Sequence, residues 1–151
     1  MKSLLLIAAV CLCFAAFAAD KPNANPGQQE ATRIDQLKHK IDHDSERDIC
    51  IDSADLVRDL VEQFNRQINA GELQPAQQTL NDIGTYAEKA LDAAKKNHHK
   101  LKQAELTLHK SARRLADIGQ ALTVENRQAI NDVVKRIDAA DDEILNQFFK
   151  N

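Results

Sequence analysis

The sequence has few residues that interrupt helices and few aromatic side chains. Its 151 residues include four glycines, three prolines, six aromatic residues and no tryptophan. After residue 28, proline occurs only at Pro75 and glycine only at Gly71, Gly84 and Gly119. No window alternates apolar and polar residues as a strand does. These absences predict an all-α fold of long helices, with a core of Leu, Ile, Val and Ala.

Cysteine is almost absent outside the N-terminal segment. Cys11 and Cys13 lie in an apolar run near the N-terminus, so that Cys50 is the only cysteine of the remaining chain. A single thiol cannot form an internal disulfide. Cys50 shares an apolar helix face with Val57 and Phe64, and we predict that it is a buried core residue. An intermolecular disulfide and a reactive thiol are the alternatives.

The first eighteen residues have the pattern of an export signal. Lys2 is followed by 17 uncharged residues, a run that is short for a membrane-spanning helix. Ala16-Phe17-Ala18 has the small-x-small form that signal peptidases recognise. We predict cleavage after Ala18 and a periplasmic or extracellular protein; a retained anchor is the alternative. Residues 19–29 then form a flexible linker, and residues 30–151 form one helical domain.

The chain also lacks a basic excess and the common catalytic motifs. Without Lys2 it carries 19 basic and 23 acidic residues, a net charge of −4, which argues against nucleic acid and anionic membranes as partners. It contains no Gly-rich phosphate loop, GxSxG, HExxH or CxxC. We therefore predict a non-enzymatic protein that has no cofactor, binds no nucleic acid and has no membrane span after signal removal.

The most regular pattern is a heptad repeat in the second half of the chain. It consists of Leu80, Ala87, Ala94, Leu101, Leu108, Leu115 and Leu122 at one position, and of Ile83, Ala90, Asn97, Ala104, Ser111 and Ile118 at the other. The repeat predicts one helix from Pro75 to Gly119, about 65 Å long, with coiled-coil-like packing. The alternative is two ordinary helices with a turn at KKNHHK, residues 95–100, which would give a compact four-helix bundle.

Amphipathic segments flank this repeat on both sides. Ile49 to Ile68 predicts a helix, residues 70–73 a turn, and Thr123 the N-cap of a last helix that ends near Phe149. Ile34, Leu37 and Ile41 form a shorter stripe upstream. We predict an extended antiparallel hairpin plus a C-terminal helix that covers only half of it. The two-helix end would expose apolar surface for a protein partner or for self-association.

One histidine pair has the spacing of a metal site. His39 and His43 lie four residues apart on a helix, and the antiparallel pairing places Glu46 and His98 nearby. These four residues are the candidate metal ligands, and a solvated charged face is the alternative. We read His109 and the acidic run of Asp138, Asp141, Asp142 and Glu143 as solvated as well.

Two resemblances to known proteins are present. Leu122-Thr123-Val124-Glu125-Asn126 resembles the LTxxQ motif of small periplasmic ATP-independent helical chaperones, with Asn in place of the final Gln. Residues 86–149 are similar to uncharacterised secreted all-helical bacterial proteins with no named activity, through TYAEKALDAA, LKQAELTLHKSARRL and EILNQFF. The second resemblance implies only a helical fold and an exported location.

These observations favour an exported, non-enzymatic interaction or structural protein of the cell envelope. A chaperone-like or stress adaptor protein of the periplasm is the alternative. A histidine-based metal binder is the third hypothesis.

Overall fold

The computed structural model describes residues 26–43 and 46–150, which form five helices and no strand. The helices are α1 (Pro26–His43), α2 (Ile49–Asn69), α3 (Leu73–Lys96), α4 (Leu101–Gln120) and α5 (Val124–Phe149). The predicted all-α class is therefore confirmed. The predicted signal peptide and its cleavage site lie outside the described residues. Because α1 begins at Pro26, residues 26–29 of the predicted linker are helical.

The predicted long helix from Pro75 to Gly119 is wrong, and the alternative with a turn is correct. Helix α3 ends at Lys96, and Asn97 is extended, with φ −146° and ψ 125°. The side-chain oxygen of Asn97 accepts a hydrogen bond of 3.0 Å from the backbone N–H of His99. Lys100 has the left-handed φ of 55°, and α4 begins at the next residue. The asparagine side chain thus takes a backbone donor that a continuous helix would have used.

The turn folds the chain into two helical hairpins that lie side by side. Helices α2 and α3 form one hairpin, and α4 and α5 form the other. Helix α2 runs parallel to α4, because Asp48 pairs with Lys100 at one end and Glu62 pairs with Arg114 near the other. Helix α3 also lies beside α5. Each of these four helices packs against two others, so the predicted three-helix arrangement with a two-helix end is replaced by a four-helix bundle.

The bundle core consists of aliphatic side chains, as the composition predicts. The largest fully buried side chains include Leu56, Leu60, Ile83, Leu108, Leu115, Ile130, Ile137 and Ile144. Their burial is the main source of stability, at about 1.5–3 kcal/mol for each large aliphatic side chain. Ala94 and Leu101 are both buried although they belong to different helices. The heptad phase survives the turn because both helices face the same core.

Helix α1 is attached to the outside of the bundle largely by ion pairs. Among the described side chains of α1, only Ile34 and Ile41 are buried. Its ion pairs are Glu30–Arg66, Arg33–Asp59, Lys38–Asp82, Lys40–Asp52 and Asp42–Lys89. Surface ion pairs contribute little each and are screened by salt, so α1 is the least firmly held of the five helices described.

Candidate functional site

The predicted metal ligands do not form a site. The rings of His39 and His43 stack face to face, with centroids 4.2 Å apart, and His43 Nδ1 lies 2.9 Å from the carbonyl oxygen of His39. Glu46 and His98 are exposed, in the α1–α2 connection and the α3–α4 turn respectively. In the part of the chain that the structure describes, no three His, Cys, Asp or Glu side chains converge in a way that could hold a metal ion.

A buried carboxylate that the sequence does not reveal lies between α4 and α5. Asp141 is 7% exposed, and its Oδ2 is 3.1 Å from Nδ1 of His109. Its other oxygen, Oδ1, is buried without a hydrogen-bond partner. Burial raises the pKa of the Asp141 carboxyl to about 6, the carboxylates of Glu105 and Asp142 add to this rise, and the hydrogen bond from His109 opposes it. The reading of Asp141 as solvated is therefore wrong, whereas the His109 side chain is 45% exposed and contacts Asp141 from the surface of the bundle.

Cys50 is buried, as predicted from its place on the apolar face of α2. Its exposed fraction is 1%, and it is a free thiol. Burial raises the pKa of the Cys50 thiol to about 12. Since the thiolate is the reactive form, this environment suppresses nucleophilic and redox chemistry at Cys50.

An open apolar cleft lies at the end of the bundle where α2 passes into α3. The cleft has a volume of about 270 Å³. Its walls include Phe64 and Ile68 of α2, Leu80 of α3, Leu122 of the α4–α5 connection and Ile130 of α5. The uncharged amides of Gln74, Gln77 and Asn126 also line it, and no lining residue carries a charge. We call this site the end cleft.

The end cleft forms where the helices end and cannot cover one another. Gly71, with φ of 75°, lets the chain turn between α2 and α3. The turn leaves Leu73, which lines the end cleft, 63% exposed at the start of α3. Val124, the first residue of α5, lies two residues before Asn126 in the sequence. It is 78% exposed. An open apolar cleft with an exposed leucine on it is typical of a binding surface.

A second exposed apolar feature lies at the C-terminal end of α5. Phe148 is 43% exposed and Phe149 is 76% exposed. Their rings meet edge to face, with centroids 5.4 Å apart and an interplanar angle of 76°. We call these two residues the aromatic pair.

Comparison with known proteins returned no match: the chain fits no protein-family model, and it has no significant similarity to a curated protein or to a solved structure. Across residues 26–43 and 46–150, no helix has both the length and the hydropathy that a membrane span requires.

Sequence reasoning missed the end cleft for a definite reason. A continuous helix from Pro75 to Gly119 places Leu122 far from Leu80 along the molecule. The turn at residues 97–100 brings them to one end, where both line the same cleft. The signals available in the sequence were Asn97 as a helix stop and two lysines, Lys95 and Lys96, in the last turn before it.

Proposed function

We propose that the protein is an exported, non-enzymatic interaction module that binds an apolar segment of a protein in the end cleft. The observation that supports this proposal is the open apolar cleft between α2, α3 and α5, with Leu73 exposed on it. The apolar leader at residues 1–18 supports the exported location. The module acts through its surface, as an interaction or structural protein of the cell envelope.

The composition of the end cleft favours a protein segment as the ligand. Its walls are apolar and would bury leucine-sized or aromatic side chains. The amides of Gln74, Gln77 and Asn126 can donate to and accept from the backbone of such a segment. A charged ligand would lose its hydration without gaining a countercharge from the lining residues.

A chaperone-like protein, the second hypothesis, requires broad and unselective apolar surface. Among the described residues, the exposed large apolar side chains are Leu73, Leu106, Val124, Leu145, Phe148 and Phe149. They lie at the start of α3, on α4 and at the two ends of α5, and the end cleft among them is small. This distribution favours selective binding at one site over the capture of unfolded chains.

Nuclear magnetic resonance with a defined peptide tests the proposal. The probe is a seven-residue capped peptide of alternating leucine and serine, and its control has alanine in place of leucine. We expect the leucine peptide alone to shift the backbone amides of Leu73, Leu80 and Ile130 in a saturable manner. Gln77→Trp, which places a large side chain at the cleft, should abolish the shifts.

The matched control is Gln78→Trp, at the adjacent exposed position of α3 that does not line the cleft. It should leave peptide binding unchanged. Shifts spread over all helices, or an equal loss of binding in both variants, would contradict binding in the end cleft. If both variants suppress the aggregation of an unfolded test protein equally well, the chaperone hypothesis is favoured instead.

A further inference from the structure

The end cleft and the aromatic pair lie at opposite ends of the same helix. Asn126, near the start of α5, lines the end cleft, and Phe149 is the last residue of α5. A helix rises 1.5 Å per residue, so about 35 Å separate these two positions. Because α5 is one continuous helix, the aromatic pair of a molecule cannot reach its own end cleft. It can only enter the cleft of another molecule.

The two features match in size and in apolar character. An apolar cavity of about 150 Å³ is sufficient for a benzene ring. The end cleft, at about 270 Å³, therefore has room for one phenyl ring and part of a second. Phe149, at 76% exposed, is the most exposed aromatic side chain of the described residues. Its burial would remove more apolar surface from water than burial of an exposed leucine.

One residue of each charge adjoins the two features in the sequence. Lys150 follows the aromatic pair and is exposed. Glu72 directly precedes Leu73, which lines the end cleft, and is exposed as well. Lys150 and Glu72 can therefore attract when the aromatic pair enters the cleft, whose lining side chains are neutral. Arg127, which donates to the carbonyl of Leu122 in the cleft wall, opposes this attraction in part.

We infer that the aromatic pair of one copy of this chain occupies the end cleft of a second copy. The inference rests on the proposed binding role of the end cleft and names its partner. The contact joins two different surfaces, so it is heterologous. Each added copy offers a free cleft at one end and a free aromatic pair at the other, and the copies therefore form an open chain instead of a closed dimer.

Analytical ultracentrifugation of the purified protein and of two complementary variants tests this inference. The tail variant carries Phe148→Ala and Phe149→Ala and keeps the end cleft. The cleft variant carries Gln77→Trp and keeps the aromatic pair. The wild-type protein should grow beyond a dimer as its concentration rises. Each variant alone should associate at least about tenfold more weakly, because each lacks one of the two surfaces.

An equimolar mixture of the two variants gives the sharpest result. The tail variant supplies an intact cleft and the cleft variant supplies an intact aromatic pair, so the mixture should form a one-to-one dimer and nothing larger. Two control variants should associate like the wild-type protein: Gln78→Trp on α3 and Leu106→Ala on α4, at exposed positions outside both features. Circular dichroism confirms that all variants keep their helices.

Three results would overturn the inference: a wild-type protein that stays monomeric, a tail variant that associates like the wild-type protein, or a mixture that forms no dimer. A closed wild-type dimer that persists in both variants would overturn it as well. If the wild-type protein is monomeric but the leucine peptide still binds in the end cleft, the proposed function stands and only this choice of partner is wrong.

Discussion

His109 and Asp141 connect α4 to α5 through a contact of 3.1 Å between Nδ1 and Oδ2. The carboxylate oxygen on the other side of Asp141 is buried without a partner, and Glu105 and Asp142 add negative charge nearby. A buried carboxylate in this environment is more favourable when it is protonated. The contact therefore makes the stability of the bundle depend on pH.

We expect Asp141→Asn to stabilise the protein at pH 7.5 by up to about 3 kcal/mol, the value of roughly two pKa units. Folding raises the pKa of Asp141 from 3.8 to about 6. The contribution of this carboxyl to stability is thus fully present below pH 3.8 and is lost as the pH rises through 6. Urea unfolding at several pH values measures the effect, and the advantage of the Asn variant should disappear towards pH 4.

Asp142→Asn is the matched control for this prediction. Asp142 is adjacent to Asp141 but is exposed. Its substitution should change the free energy of unfolding by no more than about 0.5 kcal/mol at any pH. Equal stabilisation by both substitutions would mean that net charge, and not the buried carboxyl, is responsible.

The glycines of α3 and α4 should respond differently to alanine. A Cβ at Gly119 would lie 2.9 Å from Cγ2 of the buried Ile130, so Gly119→Ala should cost about 1–3 kcal/mol through overpacking. A Cβ at Gly84 would overlap the guanidinium of Arg136, a flexible and partly exposed side chain that can move away. Gly84→Ala should be neutral or stabilising, since alanine favours helix. Thermal melts of the two variants decide this, and equal losses would contradict the packing described.

Cys50 should react with a thiol reagent only when the protein unfolds. Its burial and its raised pKa of about 12 leave almost no accessible thiolate at pH 8. The rate of reaction with an aromatic disulfide reagent should rise steeply with urea and follow the unfolding curve. Fast labelling of the native protein would show that the face of α2 with Cys50 is open to solvent.

Lys100→Gly tests the turn between α3 and α4. The left-handed backbone at Lys100 costs a residue with a side chain about 1 kcal/mol, and glycine removes this cost. In 0.5 M salt, which screens the ion pair with Asp48, Lys100→Gly should be stabilising. Lys110→Gly, at an exposed position in the middle of α4, should instead lose about 1 kcal/mol. Similar losses in both variants would indicate a helix that continues through Lys100.

Local patterns in the sequence predicted individual helices well. The stripe from Ile49 to Ile68 predicted α2, the turn at Gly71 was found, and the predicted last helix matches α5. Thr123 is the N-cap of α5, although its side chain makes no capping hydrogen bond. These helices and turns depend on residues that are close in sequence. An amphipathic period is therefore enough to predict a helix, and a glycine between two helices is enough to predict a turn.

The arrangement of the helices could not be read from the same patterns. Ala94 and Leu101 keep the heptad spacing across the turn because both point into one core, so the period alone cannot distinguish a long helix from two helices. Asn97, an ordinary polar residue within a heptad, makes the turn through a local hydrogen bond. The end cleft depends on that reversal and was therefore missed. The His109–Asp141 contact belongs to the α4–α5 hairpin, and it was missed because a helical period does not report how deeply one carboxylate is buried.

The distance between Gln77 and Asp117 tests the central claim most directly, namely that the chain reverses at residues 97–100 and so builds the end cleft. Both residues are exposed and can carry spin labels for electron paramagnetic resonance. In one continuous helix they would lie about 60 Å apart.

In the bundle, the start of α3 and the end of α4 lie at the same end of the molecule. With interaxial spacings of 8–10 Å, we expect a distance below about 30 Å. A distribution centred near 60 Å would contradict the four-helix bundle and the end cleft with it.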